Sequence, residues 1–183
     1  MGPIMLLARE EFDSPIGLID LLSAGDVLVS LDFRTHEARM TELLKRYVGT
    51  VEVKQAHHRS DALARLTDYF AGDLEALESV TVQQLGTPFQ QKVWVALRTI
   101  PVGTTATYQR IAEQIGSPKA CRAVGLANGA NPIAIVVPCH RVIGANQTLT
   151  GYGGGLDRKR WLLEHEGVTL ATTSSRRAVL QVA

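Results

Sequence analysis

The stretch from Thr87 to Gly129 is punctuated so tightly that it can form only short helices. Thr87-Pro88 places a natural N-cap before a proline at the first helical position, and Gln90 completes a capping box, which predicts a helix over Pro88–Arg98. Ile100-Pro101-Val102-Gly103 breaks it. A second helix is expected from Thr107 through Tyr108, Ile111, Ala112 and Ile115 to its stop at Gly116, and Ser117-Pro118 immediately starts a third. Two helices joined by so short a turn have the outline of a helix-turn-helix. The last of them is built from small residues, Ala120, Cys121, Ala123, Gly125, Ala127 and Gly129, and only Lys119, Arg122 and Asn128 could reach far. Major-groove readout needs several long hydrogen-bonding side chains. This composition suits a helix laid into a narrow groove, with Arg122 entering a base stack. Tight helix-helix packing would account for the same small residues.

Upstream the pattern changes to that of a small α/β unit. Residues 12–22 and 27–33 read as strands joined by the hairpin-type turn Ser23-Ala24-Gly25-Asp26. Residues 36–48 carry Met40, Leu43, Leu44 and Val48 at helical spacing, with Gly49 as the stop. Residues 51–53 add a short strand, and residues 60–70 a helix with Leu63, Leu66 and Phe70 on one face. No catalytic group stands out there, and the charges read as a solvated face. The expected fold class is mixed α/β: a domain over residues 1–86, a helical domain over 87–170 and a flexible tail over 171–183.

The net charge of +1 conceals a division. Residues 1–86 hold 8 Lys and Arg against 14 Asp and Glu, a balance of −6, whereas residues 87–183 hold 11 against 4, a balance of +7. A basic half points to a polyanionic partner, nucleic acid foremost; attraction between the two halves is the alternative. A chain of 183 residues, 45% of them hydrophobic, can bury a real core. It shows no apolar run of about 18 residues and no secretory leader, so no membrane association is expected, and a reducing, cytoplasmic setting is. Cys121 and Cys139 make no disulfide framework, no closely spaced Cys/His set suggests zinc, and no cofactor motif is present, so neither metal nor cofactor is expected.

Pro138-Cys139-His140-Arg141-Val142 sets a thiol beside an imidazole, behind an apolar run at residues 133–137 that reads as a short buried strand ended by Pro138. Cys139 is thus expected where a rigid element runs out. Adjacent side chains of an extended chain point to opposite sides, so a direct thiol-imidazole pair is not expected, and a bridging water or a local turn would have to connect the two. Only the thiolate attacks, and a free thiol titrates near ~8.5, so a base within reach raises the reactive fraction at neutral pH. His140 is the candidate base. The alternative is a small buried hydrophobe beside a satisfied histidine.

Together these motifs resemble the O6-alkylguanine-DNA alkyltransferases, single-turnover DNA repair proteins. Pro138-Cys139-His140-Arg141 matches the family's active-site signature; Tyr108, Arg122-Ala123-Val124-Gly125, Asn131-Pro132, Gly151-Tyr152-Gly153-Gly154-Gly155 and His165-Glu166-Gly167 also match, and Tyr69-Phe70-Ala71-Gly72 extends the similarity upstream. The resemblance implies a ribonuclease-H-like N-terminal domain followed by an α-helical domain carrying the helix-turn-helix and the active site. It implies a stand-alone monomer that moves an alkyl group from O6-alkylguanine, and from O4-alkylthymine, in double-stranded DNA to Cys139, once per molecule. The damaged base would be flipped out from the minor-groove side. Arg122 would fill the gap, with Lys119, Ala123, Gly125 and Arg141 also on the DNA. By the same analogy, His140, held by Glu166, would activate Cys139 through a water, Tyr108 would donate a proton to the leaving guanine, and Asn131 would brace the active-site turn. Tyr152, Gly153 and Val142 would line the base pocket; some relatives carry serine in place of Gly153, which leaves only a backbone donor there. The competing reading is a non-catalytic sensor of alkylated DNA, a class that lacks the reactive cysteine.

Overall fold

The computed structural model describes residues 4–83, 85–171 and 179–180. The chain divides into two compact units, Met1–Gly86 with Pro132–Val136, and Thr87–Asn131 with Val137–Ala183. The return of Pro132–Val136 to the first unit is a feature that the expected single boundary near residue 86 does not contain.

In the first unit β1 (Met5–Ser14), β2 (Gly17–Ala24) and β3 (Val27–Phe33) form an antiparallel meander, and β4 (Val51–Gln55) lies parallel to β1, giving the order β3-β2-β1-β4. A parallel pair needs a crossover, and α1 (Glu37–Tyr47) supplies it. Residues 12–22 are therefore two strands rather than one. The chain reverses at Pro15-Ile16, where Ser14 Oγ donates to the Gly17 carbonyl at 2.6 Å and accepts from the Ile16 N–H at 3.3 Å. Apolar residues on both sides of that turn hide it from periodicity.

Successive strand residues face opposite sides of the sheet. Leu7, Leu22 and Val29 pack with Met40 and Leu44 of α1 on one side. On the other, Phe12 meets Phe70 of α2 (Asp61–Ala71), ring centroids 5.3 Å apart, and the Glu10 carboxylate accepts from the Ser60 N–H at 2.8 Å. Ser60 caps α2 by accepting from the Leu63 N–H, and Gly72, at φ 113°, closes it in the left-handed conformation that glycine adopts without strain. The charges are not all solvated: fully buried Asp20 pairs with Arg9 and Arg34, and buried Asp32 with Arg39.

In the second unit α3 (Pro88–Arg98) has the full capping box, Gln90 N–H to Thr87 Oγ1 at 3.3 Å and Thr87 N–H to Gln90 Oε1 at 2.9 Å. Thr107 caps α4 (Tyr108–Gln114), and α5 (Cys121–Gly129) begins later than Ser117-Pro118 suggests, after a turn closed by the Ala120 N–H on the Ser117 carbonyl at 2.8 Å. Val93, Leu97, Ile111 and Val124 form the buried seam of these helices, and the Trp94 indole N–H donates to the Ala127 carbonyl at 2.9 Å. Two-residue strands β5 (Ala106–Thr107) and β6 (Val142–Ile143) pair in parallel, and α6 (Leu156–His165) contributes Leu163 to a cluster with Ile143, Leu149 and Val168. β7 (Leu170–Ala171) pairs antiparallel with β8 (Val179–Leu180); the remainder of the tail expected over 171–183 lies outside the described residues. No helix among the described residues is long and apolar enough to cross a membrane.

Candidate active site

The main chain enters Cys139 through tight turns, not through the expected strand at residues 133–137. Only Ile133 bridges a strand, pairing with Leu31, where the Leu31 N–H meets the Pro132 carbonyl at 3.0 Å and the Ala134 N–H meets the Leu31 carbonyl at 2.8 Å. The Val136 N–H then donates back to the Ala134 carbonyl at 2.8 Å, a three-residue turn around Ile135 at φ 69°. Positive φ is strained for a β-branched residue, by about 1–3 kcal/mol. A second three-residue turn, Cys139 N–H to the Val137 carbonyl at 2.8 Å, wraps Pro138 (φ −81°, ψ 63°), and Cys139–Arg141 follows as one turn of 3-10 helix. The apolar run foretold burial, which is observed, but burial does not fix conformation.

Cys139 is 5% exposed and His140 and Glu166 are almost wholly enclosed. Asn131 Nδ2 donates both to the Val137 carbonyl at 2.8 Å and to Cys139 Sγ at 3.1 Å. Glu166 collects three donors: His140 Nε2 at 2.8 Å, Arg141 Nε at 2.9 Å and Arg141 Nη2 at 2.9 Å. Burial alone would raise the Glu166 pKa, but His140 and Arg141 overcome it and hold the carboxyl well below the usual carboxylate range. Burial pushes the His140 imidazole down, against the pull of Glu166. His140 is therefore a neutral imidazole at neutral pH with its proton on Nε2, facing Glu166. Its Nδ1 is buried with no hydrogen-bond partner among the described residues, so thiol and imidazole are not directly bonded. Such a ring is a base with its acceptor atom free.

A second group lies beside the sulfur. Tyr108, at the start of α4, is half-buried with its hydroxyl 3.4 Å from the Thr150 carbonyl, and burial followed by the nearby Cys139 charge pushes its pKa up, so it stays a phenol, able to donate. Gly151 (φ 44°) passes close: a Cβ there would lie 3.6 Å from the Tyr108 hydroxyl. Tyr152 and Gly153 are half-buried, and the Tyr152 ring stands edge-on to His140 with centroids 6.5 Å apart. Lys159 of α6 is fully buried and donates to the Val142 carbonyl and, at 2.7 Å, to the Thr150 carbonyl; burial lowers its pKa to about 8, opposed by Cys139.

Lys119, Arg122 and Ala123 are exposed on and just before α5, and Gly125 is half-buried, where a Cβ would meet the Tyr108 ring at 3.8 Å. Three expectations need correction. Arg141, assigned to the DNA surface, is buried: its guanidinium is taken by Glu166 and by the Ile100 carbonyl at 2.7 Å, since a buried cation needs such partners. Val142, assigned to the base pocket, is wholly buried in β6, its carbonyl held by Lys159. Asn128, read as a side chain able to reach out, points inward instead, 4% exposed, with Nδ2 on the Cys139 carbonyl at 3.3 Å. Lys159 escaped sequence reading because, within Asp157-Arg158-Lys159-Arg160, it looks like any solvated helix lysine. Among the described residues, no three of His, Cys, Asp and Glu gather as a metal site.

Residues 88–168 match the family model described as 6-O-methylguanine DNA methyltransferase, DNA binding domain. The methylated-DNA–protein-cysteine methyltransferase of Salmonella typhimurium is 45% identical over 171 residues, covering 91% of this chain and 99% of that protein. The protein of the same name from Mycobacterium bovis is 52% identical over 160 residues, covering 84% and 88%. Among solved structures, Mycobacterium tuberculosis OGT in complex with DNA superposes with a TM-score of 0.73 at 48% identity, over 87% of this chain and 92% of that one.

Proposed function

The chain belongs to the methylated-DNA–protein-cysteine methyltransferase family, and from that premise we propose that Cys139 is the atom bearer that takes the alkyl group and keeps it. The activity is DNA repair by direct alkyl transfer to a protein cysteine, with alkylated guanine as substrate. The observation that carries the assignment of residues is the His140 ring: tied to Glu166 through Nε2 at 2.8 Å, it leaves Nδ1 buried without a hydrogen-bond partner, on the residue that follows the only buried thiol among the described residues.

The thiol proton passes through a water to His140 Nδ1, and Glu166 stabilises the imidazolium that forms. The Cys139 thiolate attacks the alkyl carbon in line; the S–C bond forms as the C–O6 bond breaks, and Tyr108 gives its proton to the departing guanine. A thioether has no good leaving group, so each molecule acts once. O4-alkylthymine presents the same exocyclic ether and falls within the same chemistry.

An alkylated oxygen inside a duplex is out of reach of a buried sulfur, so the base is flipped out at a cost of about a few kcal/mol. We read α4 and α5 as the helix-turn-helix, with α5 in the minor groove: Ala123 and Gly125 allow close approach, Lys119 meets phosphate, and exposed Arg122 fills the vacated stack. Tyr152 and the Gly153 backbone take the base. We read the antiparallel meander with its parallel fourth strand as a ribonuclease-H-like domain over residues 1–86, residues 87–170 as the DNA-binding and active-site domain, and the protein as a monomer of the cytoplasm. The sensor alternative gains nothing from a site in which thiol, base and carboxylate are all present.

Incubation with duplex carrying O6-methylguanine adds one methyl mass to the peptide containing Cys139, with a plateau at one equivalent. Continued turnover, or methyl on another residue, would overturn the assignment.

A further inference from the structure

Resting on the reading above, we infer that Asn128 is a positioning residue for the transfer: it locks the backbone of the nucleophile to the DNA-facing helix α5. Four bonds connect the C-terminal end of that helix and the residues just after it to their surroundings. Trp94 Nε1 holds the Ala127 carbonyl at 2.9 Å, Asn128 Nδ2 holds the Cys139 carbonyl at 3.3 Å, and Asn131, two residues beyond the helix, holds the Val137 carbonyl at 2.8 Å and the sulfur at 3.1 Å. Asn131 and Asn128 thus grip the Val137–Pro138 and Cys139–His140 peptides, which flank the Pro138-Cys139 pair. One of them belongs to the same rigid helix that presents Arg122.

Asn128 does this at an energetic disadvantage. Its side chain is 4% exposed, yet Oδ1 is buried with no hydrogen-bond partner among the described residues. An unsatisfied buried acceptor costs about 1–3 kcal/mol, and leucine of nearly the same size would avoid that cost at so buried a position. A polar group that weakens the core while its only bond reaches the carbonyl of the reacting residue is explained by placement. Seating α5 on DNA then fixes the sulfur at a set offset from the helix, and so from the base that Arg122 displaces. Arg122 sits six positions before Asn128, so groove contact and nucleophile brace share one element less than three turns long.

The test compares Asn128→Leu and Asn128→Asp with the parent. Four quantities are read: melting temperature, affinity for undamaged duplex, rate of methyl transfer at saturating O6-methylguanine duplex, and rate of Cys139 alkylation by iodoacetamide. We expect both variants to bind duplex as the parent does and to react with iodoacetamide at the parental rate. Transfer from duplex should be slower by about tenfold to a hundredfold, the penalty of a misplaced reacting atom. The leucine variant should melt no lower than the parent. Parental transfer rates in Asn128→Leu would overturn the inference while leaving the assignment of Cys139 intact. So would a parallel fall in melting temperature, iodoacetamide rate and transfer, which marks a purely structural role. Absence of transfer in the parent itself would sink the underlying reading instead.

Discussion

Glu166→Gln isolates what one buried charge does for both stability and transfer. In the parent, three donors converge on the carboxylate, from His140 Nε2 at 2.8 Å and from Arg141 Nε and Nη2 at 2.9 Å. An amide of the same shape keeps one acceptor oxygen and turns an N–H2 toward a donor. Removing one partner of a buried ion pair costs about 3–5 kcal/mol. Arg141 keeps the Ile100 carbonyl at 2.7 Å, and the glutamine oxygen keeps a donor, so the loss should be nearer about 2–3 kcal/mol. That is survivable for a native fold of about 5–15 kcal/mol. The sign with pH follows from the depressed pKa of Glu166: its contribution is complete above the unfolded value of 4.5 and is lost as pH falls toward the much lower folded value. The stability gap between parent and variant should therefore close on acidification. For transfer, the amide no longer fixes the proton of His140 on Nε2, so Nδ1 is no longer reserved as the acceptor. General base catalysis is worth about 10²–10⁴, and a loss of about 10²-fold is expected. Denaturant unfolding at several pH values and single-turnover methyl transfer on duplex measure the two effects. A variant that is destabilised as expected but transfers at the parental rate would refute the base role built on His140 and Glu166.

Arg122→Ala should slow repair of duplex far more than reaction with free O6-alkylated guanine base, because only the duplex requires extrusion; equal losses on both substrates would remove the intercalation role. Thr87→Ala removes one half of the α3 capping box and should cost about 1 kcal/mol in denaturant unfolding, with transfer at saturating DNA unchanged. Lys159→Met tests the buried ammonium. Its folded pKa of about 8 lies below the unfolded 10.5, so the native state releases the proton first and parental stability gains up to about 3 kcal/mol between those pH values. The methionine variant should lack that gain, and an identical pH profile in both proteins would show that Lys159 titrates normally.

Where a local signal decides structure, the sequence was readable. The Thr87 capping box, the start of α4 at Thr107 and the Gly49 stop after α1 all depend on residues within one turn of each other, and each forms as the spacing predicts. The turn at Ser14-Pro15-Ile16-Gly17 is hidden in the sequence because apolar residues on both flanks mask a local break. The segment before Cys139 was misread for a different reason: a run of Ile and Val is equally consistent with a strand and with buried turns, and only its long-range bonds to Leu31 distinguish them. Among the residues with distinctive chemistry, Asn131 bonds Cys139 and His140 bonds Glu166. Arg141, Asn128 and Lys159 show the limit, since their residue types usually face water and only tertiary partners turn them inward.

The irregular backbone around the sulfur explains why those three residues are buried. Between Asn131 and Thr150 the regular structure consists of one 3-10 turn and a two-residue strand, so most carbonyls there have no ladder to join. Buried carbonyls still require donors. The chain supplies them from side chains: Asn131 to Val137, Asn128 to Cys139, Lys159 to Val142 and Thr150, while Arg141 reaches back to Ile100. Each donor is anchored in a different place, α5, the second residue beyond it, α6 and the 3-10 turn itself. Bracing from several directions fixes a loop as firmly as a sheet would. A reagent that reacts once has no second attempt to correct a poor approach, so rigidity at the nucleophile matters more here than in an enzyme that turns over.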